Sequence, residues 1–537
     1  MKNNILFLCS LLFSIISQAQ IISDTTWERW YEYPELEEVS REKQQTMHYD
    51  NGIVYMANYD LIPLAKMMLI KTDVNGLLLW KQKIDTLYPL ALISASQTVD
   101  NGIVIGGVTM KTGFGNPIII KLNSCMELEW CKIIYKPLYS HVSEVKVDHN
   151  GDIVVLTFTD DYEPHWARVN IIKLNNDGDI LWENDYVTMK EYPLIWSPLI
   201  TTLNISNDNN YYLSGECVWP DNDDPNQQWR RHALIIKINE NGDEEWILPI
   251  GIYDEKSTVW RTDALHQIDD TTFSYLFYDW NIYQPFITIF NNNGEVIRNK
   301  TKIQFPELGD LQSFEYPEYL GNNTYMAIWH HSFQDEYPIE HHGYVVFDTA
   351  LRILSYKEDD RWDYRYNTLL SHDHKFINLA TVFNSQGSEN RDIYMAKLNT
   401  DLSYADTIDD TNWLYDYECS HEVESGYIEL GCEIVGAEEQ DLPSPEEYAA
   451  KQKKIGINLS PNPANNYINI YMDNTAKFKN IELEIFDIAG KKKYTESILT
   501  GLGEQKINTQ NWEEGMYIII IRSDNIVVGN AKFVIEK

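Results

Sequence analysis

The sequence predicts an all-β fold. Three observations carry that prediction: an apolar, β-branched hairpin recurs seven times, each recurrence has turn residues at fixed places, and a second set of short alternating strands fills the C-terminal region.

The first residues stand outside that fold. Met1-Lys2-Asn3-Asn4, an apolar run over 5–16 and then Ser17-Gln18-Ala19 have the order of a secretory signal peptide cut after Ala19, so residues 1–19 are expected to be removed. The run is about a dozen residues, short of the roughly 20 that span a bilayer. Cys9 precedes most of it, the wrong order for a lipid-modified cysteine. No later stretch is long and apolar enough to span a membrane, so no transmembrane segment is expected.

The chain carries 81 acidic and 43 basic side chains, a net charge of −38 that becomes −39 once Lys2 leaves with the signal peptide. Such a charge repels phosphate backbones and anionic lipid, which excludes nucleic acid as an expected partner.

The hairpins come next. Leu69-Ile70-Lys71-Thr72-Asp73-Val74-Asn75-Gly76 leads to Trp80, and Ile119-Ile120-Lys121-Leu122-Asn123 leads to Trp130. Ile171-Ile172-Lys173-Leu174-Asn175-Asn176-Asp177-Gly178 leads to Trp182, and Ile235-Ile236-Lys237-Ile238-Asn239-Glu240-Asn241-Gly242 leads to Trp246. Three weaker copies are anchored on Asn291, Asp348 and Asn399. Upstream of each lies another strand behind its own turn, as in Asp50-Asn51-Gly52-Ile53-Val54 and Asp100-Asn101-Gly102-Ile103-Val104, and a further alternating run precedes that. Asn, Asp and Gly tolerate the positive φ of tight hairpins, which is why they punctuate the pattern.

Four short strands at a period of about 50 residues are the signature of a seven-bladed β-propeller, expected over residues 20–410. A β-solenoid or two separate β domains would also accommodate the spacing. Thr26-Trp27-Glu28-Arg29-Trp30-Tyr31 reads like the fourth strand around Trp80, while the seventh copy has Asp406 where Trp is due. The N-terminal segment is therefore expected to pair with residues 392–398 and complete the last blade, removing a strand edge. The repeats resemble those of propeller-type proteins exported by Bacteroidota, with a D-x-G-x-I-I-x-G strand before I-K-L-D-x-x-G-x-x-x-W; the resemblance implies architecture only.

Residues 411–454 are rich in Asp, Glu and Ser and include Pro443 and Pro445, so they read as an acidic linker. Five cysteines remain after the signal peptide, without metal-site spacing. Cys419 and Cys432 flank a short segment and are expected to pair with each other, Cys125 and Cys131 are the next candidate pair, and Cys217 is left free.

Residues 455–537 are nearly charge-balanced and alternate over Tyr467–Tyr471, Ile481–Ile488 and Met516–Arg522, which predicts a small β-sandwich. Leu459-Ser460-Pro461-Asn462-Pro463-Ala464 precedes Tyr467-Ile468-Asn469-Ile470. Ile485-Phe486-Asp487-Ile488-Ala489-Gly490-Lys491, Trp512-Glu513-Glu514-Gly515-Met516-Tyr517 and Lys532-Phe533-Val534-Ile535 follow in order. These four motifs resemble the type A C-terminal sorting domains of the type IX secretion system, with Ser460, Trp512 and Met516 as departures. The resemblance implies that Pro461, Asn462, Pro463, Asp487, Gly490, Lys491, Gly515 and Tyr517 belong to a sorting signal. It also implies the secretion machinery as a partner, and secretion or cell-surface display by way of the periplasm.

The body offers no catalytic set. His330-His331 and His341-His342 bracket Asp335, Glu336 and Glu340, a histidine and carboxylate pattern that suits a transition metal. Neighbouring histidines on a strand point to opposite faces, which favours solvated polar side chains. Asn176-Asp177-Gly178-Asp179 lacks the acidic ladder of a calcium loop, and Asp221-Asn222-Asp223-Asp224 lies in the longest step between copies. Trp260, Tyr278 and Trp280 suit either sugar stacking or core packing. No G-x-S-x-G or H-E-x-x-H occurs, and no cofactor is expected. The body is expected to be a binding, adhesive or structural module for a glycan or protein ligand; a glycan- or peptide-degrading enzyme on the same scaffold is the alternative.

Overall fold

The computed structural model describes residues 26–31, 38–39, 45–60, 66–85, 88, 90–112, 115–161, 166–186, 196–220, 229–250, 264–279, 284–303, 313–331, 341–359, 365–383, 391–436, 455, 457–472, 481–487, 491–498, 504–523 and 526–537. The chain divides into a body, Met1–Ala437, and a C-terminal unit, Glu438–Lys537. Among the described residues every regular element is a strand.

The described strands of the body form seven sheets, each built on an antiparallel up-and-down order that follows the chain. The third is typical, with strands Ser140–Val147, Ile153–Asp161, Trp166–Leu174 and Ile180–Tyr186. In four copies the repeated lysine and tryptophan stand directly opposite each other on the third and fourth strands: Lys71 and Trp80, Lys121 and Trp130, Lys173 and Trp182, Lys237 and Trp246.

The turn between those strands shows why Asn or Asp anchors every copy. In the first, second, fourth and fifth copies the anchor's side-chain oxygen accepts backbone N–H groups two and four residues on, as Asp73 does from Asn75 at 2.8 Å and Leu77 at 2.6 Å, and Asn239 from Asn241 at 3.0 Å and Asp243 at 2.9 Å. Three residues after each anchor the backbone turns left-handed, at Gly76, Met126, Gly178, Gly242, Gly294, Leu351 and Leu402. Glycine there does more than relieve φ. A Cβ at Gly76 would lie 2.9 Å from the Trp27 ring, and one at Gly294 would lie 3.0 Å from Trp246. The small residue accepts an indole from the preceding sheet.

At three joints the indole also donates a hydrogen bond to the carbonyl one residue past the anchor. Trp130 Nε1 reaches Asn176 O at 3.0 Å and Trp246 Nε1 reaches Asn292 O at 3.1 Å. Where the tryptophan is replaced, another donor does the same: Arg298 to Thr349 O, and Ser355 Oγ to Thr400 O at 3.0 Å. In the seventh sheet the donor comes from the N-terminus, as the sequence predicts. Glu28–Tyr31 pairs antiparallel with Arg391–Leu398, placing Glu28 opposite Ala396 and Tyr31 opposite Ile393, and Trp27 Nε1 donates to Val74 O at 2.7 Å.

Apolar burial follows the same order. Each sheet shares a buried hydrophobic cluster with the next, and the seventh shares one with the first through Trp27, Tyr31, Tyr55, Ile70, Ile393 and Met395. The first strands of successive sheets also touch, with the seventh's against the first's. Side chains bridge several of these joints: Glu144 Oε2 accepts from Leu203 N at 2.6 Å, and Thr368 Oγ1 donates to Glu318 Oε1 at 3.0 Å.

Two expectations are corrected. Residues 411–436 are no linker but a strap fixed to the body. Gly426–Glu429 adds in parallel to the outer strand of the first sheet, Leu78–Asp85, and Glu433–Val435 adds in parallel to that of the second, Leu128–Ile134. Neither Cys419–Cys432 nor Cys125–Cys131 forms. The disulfides are Cys125–Cys419 and Cys131–Cys432, with Cα atoms 5.4 and 4.4 Å apart. The strap runs alongside the hairpin that carries Cys125 and Cys131, so each strap cysteine meets a sheet cysteine before it can turn back to the other. Cys217 is free and buried, and burial pushes its thiol up to about 12. Residues 438–454 lie outside the described residues.

The C-terminal unit has a three-stranded and a four-stranded sheet that share one apolar core. Ile468, Ile470 and Ile507 come from the first sheet, and Leu483, Ile485, Ile519 and Ile521 from the second.

Candidate functional site

In the C-terminal unit the motif residues hold the strands together. After Pro461, Asn462 Oδ1 accepts Val534 N at 3.0 Å, and beyond Pro463 the Ala464 N–H donates to Val534 O at 2.7 Å. The opening motif is thereby bonded to the closing one. Asp487 fixes its turn by accepting Lys491 N at 2.9 Å, leaving the Lys491 side chain exposed. Gly515 sits at φ 142°, a conformation that disfavours side chains, and opens the strand Gly515–Ser523. Tyr517 is buried, stacks on Phe533 with centroids 5.4 Å apart, and donates its hydroxyl to Glu513 O at 2.8 Å. Gly490 lies outside the described residues.

In the body the repeated lysines form a second constellation, one with a visible sequence signal: Lys two residues before the Asn or Asp anchor. Lys121 pairs with Asp100 at 2.6 Å, and Lys173 with Asp148 at 2.9 Å and Asp152 at 3.0 Å. Lys397 pairs with Asp373 at 2.8 Å. These pairs lie within single sheets and join second and third strands or their turns.

The first copy is richer. Lys71 Nζ is 2.5 Å from Asp50 Oδ2 and 3.0 Å from His48 Nδ1, and it also contacts Asp416 Oδ1 from the strap. Trp80 Nε1 donates to Asp416 Oδ2 at 3.1 Å, and the Asp416 N–H to Asp50 Oδ2 at 2.9 Å. Burial pushes Asp50 up, but His48 and Lys71 hold it well below the usual carboxylate range; burial keeps His48 neutral. His48, Asp50 and Asp416 offer ligand atoms close enough together for a metal, yet the Lys71 ammonium stands at their centre. The cation of this site is the lysine itself.

The other candidates are placed as follows. His330 pairs across strands with His342, and His331 with His341; their side chains, and Asp335, Glu336 and Glu340, lie outside the described residues. So do Asp221–Asp224, Trp260, Trp280 and the Tyr278 side chain. Asn176-Asp177-Gly178-Asp179 is a hairpin turn whose Gly178 receives Trp130.

No curated protein matches this sequence. Among solved structures, the body is similar to a family PL25 ulvan lyase bound to a GlcA–Rha3S disaccharide unit, at 10% identity and TM-score 0.47, covering 69% of this chain and 96% of that one. It is also similar to an α-L-arabinanase of Penicillium chrysogenum, at 9% identity and TM-score 0.39, covering 72% and 99%. The family model described as "Secretion system C-terminal sorting domain" matches residues 458–536, so this end of the chain is a sorting domain, which indicates export to the cell surface or secretion.

Proposed function

We propose that the protein is a substrate of the type IX secretion system, led by a signal peptide over 1–19 and addressed by its C-terminal unit over 455–537. The observation that carries this reading is the coincidence of the sorting-domain match with one folded unit whose four motifs are bonded to one another. Pro461, Asn462, Pro463, Asp487, Gly490, Lys491, Gly515 and Tyr517 are its determinants, the outward Lys491 as a contact and the rest as framework.

The body, residues 20–437, is a seven-bladed β-propeller that includes the strap, and the C-terminal unit is a β-sandwich. Seven sheets, seven shared apolar clusters and a last sheet completed by the N-terminal strand support the ring. Its role is binding, adhesion or surface structure. The buried lysines are spent on ion pairs inside the sheets and the turns on joints between them, as a rigid display scaffold requires.

The test is deletion of residues 455–537. The truncated protein is expected to fold, with both disulfides formed, and to stay in the periplasm. Appearance at the surface or in the medium at full-length levels would sink the sorting reading. For the body, glycan and protein arrays probed with the purified protein should give binding without cleavage of the bound ligand.

A further inference from the structure

Lys71 differs from the other repeated lysines in three respects. Both of its carboxylate partners are deeply buried, with side-chain exposures of 0% for Lys71 and Asp50 and 10% for Asp416, whereas Lys173 has one buried partner, Asp148, and one at 23%, and both acids on Lys121 are more than a third exposed. One partner, Asp416, is 345 residues away, on a strap fixed independently by two disulfides. And Trp80, whose counterparts Trp27, Trp130 and Trp246 donate to the next sheet's turn, here donates to the far oxygen of Asp416.

An amine, a carboxyl group, a second carboxylate touching the amine and an N–H donor on the carboxyl oxygen are the parts of an acyl-transfer site. We propose that Lys71 and Asp416 condense into an intramolecular isopeptide bond, with Asp50 carrying the protons. At rest the His48 contact and the Lys71 charge hold Asp50 low; as the Lys71 ammonium passes its proton to Asp50 Oδ2 that charge goes, burial favours the protonated carboxyl, and the free amine attacks Cγ of Asp416. Negative charge builds on Oδ2, where the Trp80 N–H stabilises it. The second proton lost by nitrogen and the one held by Asp50 both end on Oδ1, which leaves as water. One C–N bond forms, one C–O bond breaks, one water departs, and Asp50 ends as it began. Nothing is oxidised or reduced.

Two general effects drive the reaction. Fixing the reactants in contact is worth an effective molarity on the order of 10⁵–10⁸ M. Burial penalises the ion pair relative to neutral groups, and the amide is neutral. The product would clamp the strap to the third strand of the first sheet with a bond that reductants leave intact.

The test uses the exported protein, reduced, denatured and digested. The expected result is a branched peptide joining Lys71 to Asp416, lighter by one water than its two linear parts; this readout is independent of how the chain ends are processed. Lys71→Arg and Asp416→Ala should each abolish it, and Asp50→Asn should leave the peptides linear in a protein that still forms both disulfides. Recovery of the wild-type Lys71 and Asp416 peptides in linear form only would overturn the proposal and leave the cluster an ion pair. Undiminished branching in Asp50→Asn would overturn the part assigned to Asp50.

Discussion

Trp27 and Val74, 47 residues apart, are joined by a hydrogen bond of 2.7 Å from the indole Nε1 to the backbone carbonyl. The bond ties the N-terminal strand, a member of the seventh sheet, to the 3–4 turn of the first. It repeats the bond that Trp130, Trp246, Arg298 and Ser355 make to the next sheet's turn, here from a residue that precedes every repeat.

Trp27 should therefore stabilise the whole body. Trp27→Ala removes a fully buried indole and its hydrogen bond, and the expected loss is about 3–5 kcal/mol. Denaturant unfolding followed by fluorescence and by far-UV circular dichroism should show one cooperative transition shifted to lower concentration. A loss confined to fraying of the N-terminal strand, with the transition unmoved, would contradict this role.

Peptide mapping without reduction should recover Cys125 linked to Cys419 and Cys131 linked to Cys432, with Cys217 unreactive until the protein is denatured. Replacing Cys419 or Cys432 by Ser is expected to cost roughly 2–4 kcal/mol each, since each bridge closes a long loop. A Cys419–Cys432 peptide would show that the strap does not run as described.

Two carboxyl groups give stability opposite pH dependences. Burial raises Asp73 to about 6 from an ordinary 3.8, so its contribution is fully present below about pH 4 and is lost as pH rises through 6. Asp73→Asn keeps the oxygen that accepts Asn75 N and Leu77 N, matches Asn175 and Asn239 in other copies, and should raise Tm at pH 7 but not at pH 4. Asp373 behaves in the reverse sense. Burial pushes it up, but Lys397 and Ser371 bring it down to about 2, so its contribution is present above about pH 4 and is lost as pH falls toward 2. Asp373→Asn should flatten the acid limb of the Tm profile.

Tyr517→Ala in the C-terminal unit removes a buried ring stacked on Phe533 and is expected to cost about 3–5 kcal/mol of that unit's stability. Calorimetry should show one transition lowered and the body's transition unchanged. A shift of both would show that the two units unfold together.

The seven hairpins were legible because their chemistry is local. An Asn or Asp anchor, a left-handed residue three places on and a tryptophan on the returning strand all lie within eight residues. Trp27 was legible because it repeats that pattern out of place. The strap was not. Residues 411–436 look like linker text because parallel pairing to the outer strands Leu78–Asp85 and Leu128–Ile134 leaves no local trace, and the meeting of Cys419 with Cys125 is decided some 300 residues away. The lysine clusters were half legible: the I-K spacing is plain in the sequence, but the convergence of His48, Asp50 and Asp416 on Lys71 needs the fold.

The pairing of an indole in one sheet with a left-handed residue in the next means that neighbours carry matched halves of each joint. Gly76, Gly178, Gly242 and Gly294 receive tryptophans; Leu351 and Leu402 follow Arg298 and Ser355. A sheet transplanted alone would bring one half of each joint to the wrong mate, pressing an indole onto Leu351 or leaving Gly242 facing a void. The unit that can be duplicated, deleted or exchanged without loss is thus the seam, running from one fourth strand through the following third, and the chain's natural break, between the third and fourth strands of the seventh sheet, falls at the boundary between two such seams.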